Sequence, residues 1–167
     1  PRRKVSWCFW MGLLFAGCES APDVPQPVDL RPDAAPTASA AERERVQQFW
    51  RVYRRATALR VAGDVEQAKV FLDSALTINP DHLDALYYGG NAAYELGQFK
   101  DAEQRWRREV EVNEHSARAH AQIGMLYSSG QHGAPIDLEL ARQQLEAAHR
   151  LNRAETGLLI RLGVVAL

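Results

Sequence analysis

A shift of 34 residues lays one stretch of this chain on the next, and that period constrains the fold more than any other feature. Under it Ala68 falls on Ala102, Leu72 on Trp106, Ile78 on Val112, Asn79 on Asn113 and Gly63 on Gly97. The turn Gly63-Asp64-Val65 coincides with Gly97-Gln98-Phe99. Apolar residues recur at helical spacing within each unit, as at Ala68, Leu72, Ala75 and Ile78. One such unit is too small to bury its apolar face alone, so the units are expected to stack on one another and share a continuous core.

Each unit opens on a helix with its own pattern. Val52, Ala56 and Leu59 occupy it in the first unit, with Arg55 a departure; Leu86, Gly89-Gly90 and Ala93 in the second; His120, Ile123-Gly124 and Tyr127 in the third. Small residues at Ala56, Gly90 and Gly124, set opposite Ala68, Ala102 and Ala141, let two helices approach closely. This arrangement resembles the tetratricopeptide repeat (TPR), two antiparallel helices per unit. The resemblance implies an all-α, TPR-type α-solenoid wound into a right-handed superhelix. Repeats are expected at about 49–82, 83–116 and 117–155, inside a TPR domain of residues 42–167. Leu159, Leu162-Gly163 and Ala166 start a fourth at 156–167. Because a solenoid ends on a helix with a polar outer face and this stretch is apolar, the fourth repeat is expected to be cut short, with the chain continuing past Leu167.

Two departures from the period carry expectations. Glu109 stands where the first unit has Ala75, so looser packing there, or a second helix turned outward, is expected. Five extra residues interrupt the third unit, where Ser128 to Pro135 reads as a loop and helix resumes near Asp137. Arg105, Arg107 and Arg108 alternate with Glu103, Glu109 and Glu111 and read as a solvated face.

The N-terminal region is of another kind. Arg2-Arg3-Lys4 precedes an uncharged apolar stretch from Val5 to Gly17, shorter than the roughly 20 residues a spanning helix needs, so residues 1–17 read as a secretory signal peptide. Leu14-Phe15-Ala16-Gly17-Cys18 resembles the bacterial lipobox, with Phe15 departing from the usual Leu. The resemblance implies cleavage before Cys18 and lipidation of its thiol, the lipid chains then serving as a membrane anchor. Glu19 follows the cysteine in place of Asp, which for a Gram-negative source points to the periplasmic side of the outer membrane. From 18 to 41 the chain is rich in Pro and Ala, with no hydrophobic period, and reads as a disordered tether. Ser39-Ala40-Ala41-Glu42 then matches a capping box that opens the first helix.

A TPR superhelix presents its first helices on a concave side. With the buried positions assigned, the stripe left facing the groove is Trp50, Tyr53, Thr57 and Arg60, then Asp84, Tyr87, Asn91 and Tyr94, then Arg118, Ala121, Met125 and Ser128. Aromatic residues with Arg and Asn suit a peptide or protein partner. An equal alternative for Trp50 and Tyr53 is packing against the helical extension from Glu42 to Gln48. A TPR subclass grips carboxylate termini with Lys, Asn and Arg; Asn91 matches its first Asn, but Tyr87 replaces a Lys and Gln122 a second Asn, so that ligand class is not expected.

Chemistry is sparse elsewhere. His82, His115, His120, His132 and His149 never adopt a metal-ligand spacing, and Cys8 and Cys18 are the only cysteines. No catalytic constellation, cofactor site or metal site is read from the chain, so it is not expected to be an enzyme. Its 20 basic and 21 acidic residues leave no basic footprint for nucleic acid. The expectation is a membrane-anchored interaction scaffold of the bacterial envelope. The alternative is an accessory TPR module of a larger enzyme or sensor whose catalytic domain lies beyond residue 167.

Overall fold

The structure, a computed structural model, describes residues 39–154 together with Gly163. The signal peptide, Cys18, the tether up to residue 38 and the partial fourth repeat lie outside the described residues, Gly163 excepted. Six helices make up the described part: α1 (Ala40–Val61), α2 (Val65–Ile78), α3 (Leu83–Glu95), α4 (Phe99–Val112), α5 (Ala117–Ser128) and α6 (Leu138–Leu151). Each packs against the next in chain order, as a solenoid requires.

Local chemistry sets the helix ends. Ser39 accepts from the Glu42 N–H at 3.1 Å, so α1 begins at Ala40. Asp64 and Asp137 cap α2 and α6 in the same way, accepting from Gln67 and Leu140. Between the helices of the first two units the chain reverses in three residues. Gly63 and Gly97, at φ +80° and +72°, take the left-handed conformation that such a turn needs. In the third unit the turn is replaced by a loop from Ser129 to Asp137, closed where the Asp137 N–H donates to the Tyr127 carbonyl at 3.2 Å.

Second helices bury one narrow stripe each: Ala68, Leu72 and Ala75 on α2; Ala102, Trp106 and Glu109 on α4; Ala141, Leu145 and Ala148 on α6. The small first-helix residues meet the middle of these stripes. A Cβ on Gly90 would lie 2.4 Å from Trp106 Nε1, and one on Gly124 would lie 2.7 Å from Leu145 Cγ. The close approach expected from the sequence is therefore present, with the large residue of the stripe as the main neighbour.

Glu109 corrects an expectation. It is neither loosely packed nor turned outward but 1% exposed, since Ser116 Oγ and Arg118 Nε both donate to its Oε1, at 2.8 and 2.7 Å. The solvated face read on α4 is corrected with it. Arg107–Glu103 and Arg108–Glu111 are exposed pairs, but Arg105 is largely buried. It closes a ring of ion pairs between α2 and α4: Lys69–Asp73 at 3.1 Å, Lys69–Asp101 at 2.9 Å, Arg105–Asp73 at 2.7 Å and Arg105–Asp101 at 2.8 Å. Gly89 makes room for the Arg105 guanidinium, since a Cβ there would lie 2.6 Å from Nη1.

Candidate functional site

Three first helices, α1, α3 and α5, contribute the stripe of expected groove residues. At one end Phe49, Trp50 and Tyr53 of α1 gather around His82, which precedes α3. Ring centroids lie 4.5 Å apart for Phe49–His82, 5.1 Å for Tyr53–His82 and 5.7 Å for Trp50–His82. Trp50 and Tyr53 thus pack on each other, on Phe49 and on His82, and Trp50 keeps 44% of its surface exposed. Phe49, the buried centre of this cluster, was not singled out in the sequence. Its partner His82 precedes α3 and lies outside the periodic stripe, so spacing held no signal for it.

His82 Nδ1 accepts from the Ala85 N–H at 3.2 Å and caps α3. Burial pushes its pKa below the usual imidazole value of 6.5, which keeps the ring neutral near pH 7. Burial, with Asp84 nearby, raises the Tyr53 phenol above its ordinary value, so it remains a donor.

The centre of the stripe is joined across repeats. Arg118 of α5 pairs with Asp84 of α3 at 2.8 Å and stacks over the Tyr87 ring, 4.5 Å from its centroid. Gln122 Nε2 donates to the Tyr87 hydroxyl at 3.2 Å. From behind, the buried Glu109 of α4 holds Arg118 Nε. Burial opposes the charge on Arg118, but Glu109 and Asp84 outweigh it and raise its pKa. Asp84, Tyr87 and Arg118 therefore form one constellation, although they come from different repeats. Nearer α1, Arg60 lies 4.2 Å over the Tyr88 ring beside a cavity of about 220 Å³ that Asn91 also lines.

Other candidates fall elsewhere. Tyr94 is half-buried and packs on Phe99 and Trp106, at 5.5 and 6.0 Å, so it serves the core of its own repeat. Ala121 is buried with Leu145 and Ala148, and Met125 packs against that cluster while half-exposed. Ser128 Oγ is turned back on to the Gly124 carbonyl. His120, read as a packing residue, lies 2.7 Å from Gln144 Oε1 and 3.3 Å from the Glu114 carbonyl. Among the described residues no group of three His, Cys, Asp or Glu side chains is placed to hold a metal ion, and no helix is long and apolar enough to cross a membrane.

Comparison with known families matches residues 59–123 to the tetratricopeptide repeat. The helical body is built of tetratricopeptide repeats. Solved structures agree on the fold. The first TPR of Spaghetti (RPAP3), bound to an HSP90 peptide, superposes with a TM-score of 0.64 at 17% identity, over 72% of this chain and 91% of that one. The Arabidopsis OM64 TPR domain gives 0.65 at 14% identity, over 72% and 96% of the two chains. MamA from Desulfovibrio magneticus RS-1 gives 0.63 at 24% identity, over 75% and 67%. At these identities the likeness is one of fold. A search of the curated proteins finds no match. A TPR fold suggests a protein–protein interaction scaffold, and TPR proteins are generally non-catalytic.

Proposed function

We propose that this TPR protein is an interaction scaffold of the bacterial cell envelope. It holds a peptide segment of a partner against the first helices, between Trp50 and Arg118. The observation that carries the reading is the constellation of Asp84, Tyr87, Arg118 and Gln122. A guanidinium stacked on an aromatic ring and joined to two carboxylates spans two repeats, where packing within a repeat demands nothing of the kind. Aromatic and Arg side chains are also the types that dominate binding energy at interfaces. The Spaghetti TPR, of the same fold, was solved with the peptide SRMEEVD bound.

The scaffold is proposed to be lipid-anchored through Cys18, on the strength of the lipobox resemblance, with the Pro- and Ala-rich stretch that follows as tether. Two measurements test the two halves separately. Cys18→Ala should move the protein from the membrane to the soluble fraction, and persistent membrane association would sink the anchor. Replacing Tyr87 and Asn91 with Ala should abolish capture of the partner while the helical circular dichroism is kept. Capture at wild-type strength would place the site elsewhere.

A further inference from the structure

The charges along the groove are unequal. Arg118 answers to two carboxylates, Asp84 at 2.8 Å and Glu109 at 2.7 Å. One arginine thus faces two carboxylates there, and His82 adds no positive charge because burial lowers its pKa. The excess negative charge sits at the centre, where Glu109 is shielded from water and its field is least screened.

Packing does not require a carboxylate at that place. The equivalent residues of the other repeats, Ala75 and Ala148, are buried alanines. Glu109 Oε2 is buried with no hydrogen-bond partner, a costly arrangement for a charged group. What the glutamate does in return is visible in its bonds, for it fixes the Arg118 guanidinium over the Tyr87 ring and, with Asp84, more than offsets its charge.

We infer that the groove selects uncharged or basic peptide segments and turns away carboxylate-bearing ones, with Glu109 as the positioning residue that aims Arg118 at a neutral carbonyl of the partner. The inference rests on the groove reading above. A guanidinium already shared between two carboxylates still has donors to offer, but the cluster carries a net negative charge, so it recognises a carbonyl oxygen and repels a carboxylate.

The test uses the full chain and a synthetic library of random heptapeptides with amidated C-termini, retained peptides being sequenced by mass spectrometry. Wild-type protein should retain peptides depleted in Asp and Glu. Glu109→Gln, which keeps the shape of the slot, should raise the share of acidic peptides by about fivefold, the effect of one nearby charge. Asp84→Asn, at a half-exposed position, should shift it the same way. Acidic peptides enriched by the wild type, or a charge profile that both variants leave unchanged, would overturn the inference while leaving the groove in place. No peptide retained above the level of Tyr87→Ala would overturn the groove reading together with it.

Discussion

Arg118 Nε donates to Glu109 Oε1 at 2.7 Å across the boundary between the second and third repeats, joining a buried residue of α4 to a residue of the proposed groove on α5. The pair is asymmetric: the side chain of Glu109 is 1% exposed and that of Arg118 is 37% exposed. The two ends should therefore respond differently to removal.

Arg118→Ala leaves a buried carboxylate with only Ser116 as donor and should cost about 2–4 kcal/mol of stability. Glu109→Ala should cost no more than about 1 kcal/mol, because the freed guanidinium reaches water and alanine fills the slot as it does at Ala75 and Ala148. The double variant should be no less stable than Glu109→Ala. Urea unfolding of the three variants checks this, and equal losses for the two single changes would contradict it.

Gly90 and Trp106 make a second decisive pair. Gly90→Ala gains about 1 kcal/mol of helix propensity but drives its Cβ to within 2.4 Å of an indole that is 1% exposed and has nowhere to swing. Overpacking of this kind costs about 1–3 kcal/mol, so a net loss is expected. Adding Trp106→Leu recreates the Ala56–Leu72 pair of the first repeat and should recover much of it. Thermal melts of the single and double variants decide the matter.

His82 should give the protein a pH dependence near neutrality. Its folded pKa lies below the usual 6.5, so the unfolded chain takes up the proton more readily. The stability it contributes is present above that value and is lost as the pH falls through the folded pKa. Protonation of Nδ1 also removes the acceptor that caps α3. His82→Asn keeps a cap and abolishes the titration. The fall in Tm between pH 8 and pH 5.5 should be smaller in that variant than in the wild type; equal falls would contradict the assignment.

The repeats were legible in the sequence because their causes are local and periodic. Apolar spacing, the left-handed turns at Gly63 and Gly97, and the small residues at Ala56, Gly90 and Gly124 all follow from short-range rules. The side-chain meetings along the proposed groove were legible only in outline. Asp84, Tyr87 and Arg118 lie on the expected stripe, but their meeting depends on how two repeats stack. Glu109 was misread because its position in the period calls for a small residue, while its partners lie seven and nine residues further on, Ser116 at the end of the same repeat and Arg118 at the start of the next. The packing of Tyr94 was not legible for a related reason: helical spacing assigns a face, and at the C-terminal end of α3 that face meets Phe99 as the chain turns back.

The central claim is that a partner lies along the first helices, and site-specific photocrosslinking tests it most directly. p-Benzoylphenylalanine placed at Trp50, aromatic for aromatic, should yield a discrete adduct in cells, and Tyr87→Ala in the neighbouring repeat should abolish it. The same label at Val70, exposed on α2 at 61%, should yield none. An adduct from Val70 but not from Trp50, or a Trp50 adduct indifferent to Tyr87→Ala, would contradict the account.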